Sequence, residues 1–185
     1  MIAFRPVLFV VGILLVTLAA AMLVPVLVDV GYDNPDWQVF ATAAAITLFA
    51  GLGLVLSCRG GRFRLNIRQA FVMTALSWLT LTLFAALPFR FSELDLSLTD
   101  AVFEAVSGIT TTGSTVIIGL DTAPPGILVW RGLLQWLGGL GIIVMAISVM
   151  PMLGVGGMQM FRVEAFETGE KLLPRAAQIS AALSL

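Results

Sequence analysis

The sequence predicts an all-α membrane protein: four transmembrane helices, with one further short helix that enters the bilayer without crossing it. Three observations lead there. Of 185 residues, 59% are hydrophobic and 11% charged, and mean hydropathy is +1.03, well outside the range of soluble domains. Four apolar runs reach the length of about 20 residues that a helix needs to cross the hydrocarbon layer. Between the third and fourth lies "SGITTTGST", residues 107–115, too polar to face lipid and too apolar for an ordinary surface loop.

The composition also excludes several classes. The ten basic and eleven acidic residues leave a net charge of −1, and the basic ones are spread out, so nucleic acid is not an expected partner. Cys58 is alone, which rules out a disulfide within the chain. Histidine is absent, removing the commonest general base and metal ligand. With no GxSxG segment and the single lysine, Lys171, outside the apolar runs, no nucleophile–base pair presents itself and an enzyme is not expected.

The first run, 7–28, follows Arg5. It exceeds the usual signal-peptide core of about 7–15 residues, which favours a retained span over a leader cleaved near Ala19–Ala21. The second run covers 37–57, the third 70–88 and the fourth 126–150. Trp37 and Trp130 stand near the ends of theirs, where amphipathic rings favour the headgroup layer. Eight of the ten basic residues fall on one side: Arg5, then Arg59, Arg62, Arg64 and Arg68, then Arg162, Lys171 and Arg175. Only Arg90 and Arg131 fall on the other, and the first link carries Asp29, Asp33 and Asp36. By the positive-inside rule both termini and the Arg59–Arg68 link are cytoplasmic. Arg131 is expected to snorkel to the interface or to pair with Asp121. Gly138, Gly139 and Gly141 are expected to allow close helix packing.

The link at 89–125 is therefore external. Within it Leu98, Ala101, Val102, Ala105, Val106 and Ile109 form a helical stripe, and Ser97 with Asp100 matches a capping-box start. A helix of about eleven residues is about 16 Å long, half the hydrocarbon thickness. Irregular backbone at that depth survives only when buried in protein or facing water. The C-terminal end of such a half-helix aims partial negative charge inward and favours a cation. Thr110, Thr111 and Thr112 bring carbonyl and hydroxyl oxygens, and Gly113 allows a backbone conformation barred to other residues. Carbonyl rings of this kind replace the hydration shell of potassium in selectivity filters. The residues read as a re-entrant pore helix and filter loop, in one span–pore–span repeat of a potassium-channel-like fold. A flat amphipathic helix with a threonine-rich surface loop, in a non-conducting membrane scaffold, is the plainer alternative.

"FEAVSGITTTGST" followed by "RGLLQWLGGLGIIVMAISVMPMLGVGGMQMFR" strongly resembles the membrane subunit of Trk-type potassium uptake systems, in the superfamily with Ktr and HKT transporters. The resemblance implies potassium as transported ion and four span–pore–span repeats per polypeptide. Residues 1–58 correspond to a leading two-helix segment, 66–157 to the first repeat, and 158–185 to a cytoplasmic linker toward a second repeat. It implies Gly113 as the filter glycine and Thr111 and Thr112 as the potassium-binding carbonyl donors, with Thr110 and Ser114 flanking them. Glu104 matches an acidic pore-helix position. Its carboxylate is expected either to bond the filter backbone, to attract cations, or simply to be satisfied by local amides. The implied partners are lipid of the bacterial inner membrane, a cytosolic nucleotide-binding regulatory subunit, and a second copy of the complete protein as a dimer. The chain departs from the family pattern in holding one TTTG segment instead of four. The remaining repeats then belong either to a longer chain or to further copies around one axis.

Overall fold

A computed structural model describes residues 4–59 and 67–153, with the side chains of 69–144 in the second stretch. Residues 60–66 of the Arg59–Arg68 link and the 158–185 segment lie outside the described residues. Among the described residues five α-helices follow in order: α1 Arg5–Gly31, α2 Trp37–Cys58, α3 Ile67–Phe91, α4 Leu98–Ile109 and α5 Pro125–Leu153, with one 3-10 turn at Leu120–Thr122 before α5. Four of them contain segments long and apolar enough to cross a membrane: Arg5–Gly31, Trp37–Cys58, Gln69–Phe91 and Pro125–Val144. Each anticipated span is present; the first, third and fourth extend by one to three residues at each end and the second by one residue at its C-terminus. The chain divides into two compact units, Met1–Gly138 and Gly139–Leu185; of the second, the helical run to Leu153 is described.

Helices α1 and α2 form an antiparallel hairpin across the short turn 32–36. Lipid tails are as apolar as leucine, so helices in a membrane associate through contact and not through water exclusion. Glycine supplies that contact here. A Cβ on Gly12 would sit 2.9 Å from the Gly51 carbonyl, and one on Gly51 would sit 3.0 Å from the Gly12 carbonyl. Below this crossing Leu15, Leu18 and Met22 of α1 meet Ala43, Ala44 and Phe40 of α2. The same core takes in Ala85, Ala86 and Phe89 of α3, Ala101 and Ala105 of α4, and Ile127, Trp130 and Leu134 of α5. Helices α1 and α2 and the α3–α5 segment thus share one interior within Met1–Gly138.

Trp130 corrects an expectation. It is fully buried, packs edge-on to Phe40 at 6.2 Å between ring centroids, and donates Nε1 to the Ala85 carbonyl at 3.1 Å. Its indole N–H is satisfied by protein and not by headgroups.

Candidate ion-coordinating site

The short helix α4 occupies the span that the stripe and cap foretell. Ser97, extended at φ −61° and ψ 161°, accepts the Asp100 N–H at 3.1 Å, and its hydroxyl donates to Asp100 Oδ2 at 2.6 Å. The inward face differs from the apolar stripe. Ala101, Ala105 and Ile109 are buried, whereas Leu98 and Val106 are exposed and the polar Glu104 and Ser107, with Gly108, turn inside. The helix is rotated toward its polar residues because those residues have partners.

At its C-terminus α4 closes in a Schellman motif. The Thr112 N–H reaches the Ser107 carbonyl at 3.0 Å and the Thr111 N–H the Gly108 carbonyl at 2.9 Å. The Thr110 N–H bonds Val106, and the Gly113 N–H shares Ser107 at 3.3 Å. Thr111 occupies the left-handed position, φ +60°, where helices usually place glycine. A β-branched residue is strained there, by about 1–3 kcal/mol. Gly113 also has positive φ, +79°, as the filter reading requires.

In a trans peptide the N–H of one residue points opposite to the carbonyl before it. The N–H groups of Thr111, Thr112 and Gly113 face the helix, so the carbonyls of Thr110, Thr111 and Thr112 face away from it. Among the described residues those carbonyls accept no hydrogen bond, and residues 110–116 are exposed. The Ser114 carbonyl turns the other way, accepting the Ser107 hydroxyl at 2.6 Å. Gly113, between the two orientations, is the pivot. The Thr110 hydroxyl donates to Val106 at 2.7 Å, leaving it to accept from the Thr112 hydroxyl at 2.8 Å.

Beyond the pivot the strand is clamped by Glu104, which is fully buried. Its Oε1 accepts the Val116 N–H and the Thr115 hydroxyl, each at 2.6 Å, and its Oε2 pairs with Arg131 Nη1. Arg131 also donates to Thr115 Oγ1 at 3.1 Å, which takes the Ile117 N–H at 3.0 Å as well. Arg131 is therefore buried and paired with Glu104. It neither snorkels nor pairs with Asp121, because a buried carboxylate one helix away is a better partner than a solvated one. Glu104 thus bonds backbone at Val116, beyond residues 110–114.

Comparison with known proteins fits this arrangement. The TrkH family model, described as cation transport protein, matches residues 36–185. The chain belongs to this family. Relatives include the Trk system potassium uptake protein TrkI of Halomonas elongata, 43% identical across 96% of this chain and 36% of that protein. TrkH of Escherichia coli K12 is 40% identical across 98% of this chain and 38% of that protein. The crystal structure of the potassium transporter TrkH from Vibrio parahaemolyticus superposes with a TM-score of 0.83, at 38% identity, over 98% of this chain and 36% of that one. The chain thus spans a little over a third of the length of these relatives.

In this TrkH-family chain α5 forms the back wall of the site. A Cβ on Gly138 would overlap the Ile109 carbonyl, so the end of α4 rests directly on α5. One turn earlier, a Cβ on Gly108 would sit 3.0 Å from Leu134 Cβ. Gln135 Nε2 lies 4.0 Å from where a Gly113 side chain would begin. The packing foreseen for the glycine cluster holds for Gly138. At Gly141 a Cβ would meet nothing within 4 Å among the described residues.

Two supporting carboxylates escape sequence reasoning. Asp29, at the end of α1 and fully buried, accepts the Gly126 N–H at 2.7 Å and so caps the N-terminus of α5 from 97 residues away. A side chain on Gly126 would collide with that carboxylate. Asp36, 2% exposed, accepts the Glu93 N–H at 3.3 and 3.4 Å, tying the α1–α2 turn to the link before α4. Burial pushes the Asp36 carboxyl above the ordinary carboxylate range, against the opposing pull of that hydrogen bond. Three acidic residues around the junction of the first two helices were the available signal, but acidity alone names no partner.

Proposed function

We propose that the chain supplies one quadrant of a potassium-selective filter in a Trk-type uptake protein. Thr111 and Thr112 offer the coordinating carbonyls, with Thr110, Gly113 and Ser114 flanking them, and Glu104 holds the exit strand. The observation that carries this reading is the peptide orientation. Consecutive N–H groups are spent on the pore helix, which leaves consecutive carbonyls unpaired on an exposed face. Such a row can replace part of an alkali cation's hydration shell, and the process involves no chemical step. Unpaired carbonyls are costly in hydrocarbon, so the face needs a water-filled path bounded by further repeats. That the relatives are nearly three times longer favours a longer chain as their source over copies of this one. The same reading puts the protein in the bacterial inner membrane with both termini cytoplasmic. A cytosolic nucleotide-binding subunit and a second complete copy complete the assembly.

The test exchanges this chain for the corresponding region of Escherichia coli TrkH, in cells lacking other potassium uptake. The chimaera should restore growth at low potassium. Gly113→Ser should lower the potassium-to-sodium uptake ratio without changing the amount inserted, because a Cβ at positive φ costs about 1 kcal/mol or more and twists the quadrant. An inserted chimaera that moves no potassium, or an unchanged ratio in Gly113→Ser, would overturn the assignment.

A further inference from the structure

We infer that Ser107 is a positioning residue that sets where the ion-coordinating backbone ends. The inference rests on the filter reading above and assigns a determinant of its selectivity in the pore helix.

Ser107 is 4% exposed and holds three of the four residues after Thr111. Its carbonyl takes the N–H groups of Thr112 and Gly113, at 3.0 and 3.3 Å. Those two bonds rotate the carbonyls of Thr111 and Thr112 away from the helix, since N–H and C=O oppose each other across a trans peptide. Its hydroxyl has a single proton, and donates it to the Ser114 carbonyl at 2.6 Å. That bond rotates Ser114 in the opposite sense, toward the helix. One residue therefore presents two oxygens to the ion path and withdraws a third.

The main-chain half of this hub is available to any residue at position 107. The withdrawal of Ser114 requires a hydroxyl. Without it the Ser114 carbonyl has no donor among its described neighbours, and its peptide, which turns about the Ser114 and Thr115 backbone bonds, is free to follow the others toward the ion path. The coordinating row then lengthens or wavers by one oxygen. Selectivity between alkali cations depends on the number and field of coordinating carbonyls, so discrimination should suffer first. The Glu104 clamp begins one residue later, at Thr115, and does not restrain this carbonyl.

The chimaera defined above provides the test. Ser107→Ala should lower the potassium-to-sodium uptake ratio about two- to tenfold, the range of one net hydrogen bond, with insertion unchanged. Ser107→Thr, which keeps the hydroxyl, should retain most of the ratio. A purely structural serine would instead lower the maximal rate for both ions alike. A Ser107→Ala protein whose ratio is unchanged while Gly113→Ser still loses selectivity overturns the role of Ser107 and leaves the filter standing. Unchanged ratios in both overturn the filter itself. If the alanine protein fails to insert, Ser107→Cys carries the same decision, since a thiol is a poor donor of similar size: a reduced ratio supports the assignment and an unchanged one overturns it.

Discussion

The α1–α2 hairpin and the segment from α4 to the start of α5 lie in one compact unit but are held together differently. In the hairpin the contact is of shape: Gly12 against Gly51, and Met22 beside Thr47, whose hydroxyl returns to its own helix at Ala43. Around the loop after α4 the contact is of polarity, with Glu104, Thr115, Ser107 and Arg131 each bonded to a particular group. A shaped contact tolerates any apolar set that fills the same volume. A polar contact inside a membrane tolerates almost nothing, because each lost partner leaves a group that lipid cannot satisfy. The stringent region is the one that, on the proposed function, must hold backbone oxygens in place.

Three substitutions would sharpen or break that contrast, read as thermal unfolding of the purified protein in detergent and, for the last, also as the potassium-to-sodium uptake ratio of the chimaera. Glu104→Ala should have the largest effect, about 3–5 kcal/mol, because it strands Arg131 unpaired and releases the Val116 N–H. A loss below that of the hairpin variant would erase the distinction. Gly51→Ala comes next, at about 1–3 kcal/mol, since its methyl would press on the Gly12 carbonyl and the Leu15 side chain. A neutral result there would show that the hairpin is not closely packed at its crossing. Ser97→Ala should cost about 0.5–2 kcal/mol, the usual value of an N-cap, and should leave the pore-helix end intact. An effect on cation selectivity as large as that of Gly113→Ser would mean that the two ends of α4 are not independent.

The contrast also explains what was readable in the sequence. The spans and α4 announce themselves through run length, helical spacing and the Ser97 cap, which are signals carried within a dozen neighbouring residues. Gly113 is legible for the same reason, since glycine after three threonines has a local meaning. The Glu104–Arg131 pair was not legible: both were noticed singly, but 27 positions of sequence separate them and their meeting depends on how α4 lies against α5. Thr111 was hidden more deeply. Threonine is among the last residues expected at positive φ, and only the demands of the Schellman closure put it there.

The bond between Asp29 and Gly126 has a consequence in time. A chain grows from its N-terminus at about 5–20 residues per second, so the carboxylate is made about 5–20 seconds before the amide it caps. Once α2 has been made, for the remainder of that interval, α1 and α2 can already close on each other through their glycines, whereas the end of α1 carries an acid with its eventual donor still unsynthesised. The hairpin is then a platform laid down early, and its last residues are a latch waiting for the fifth helix to arrive.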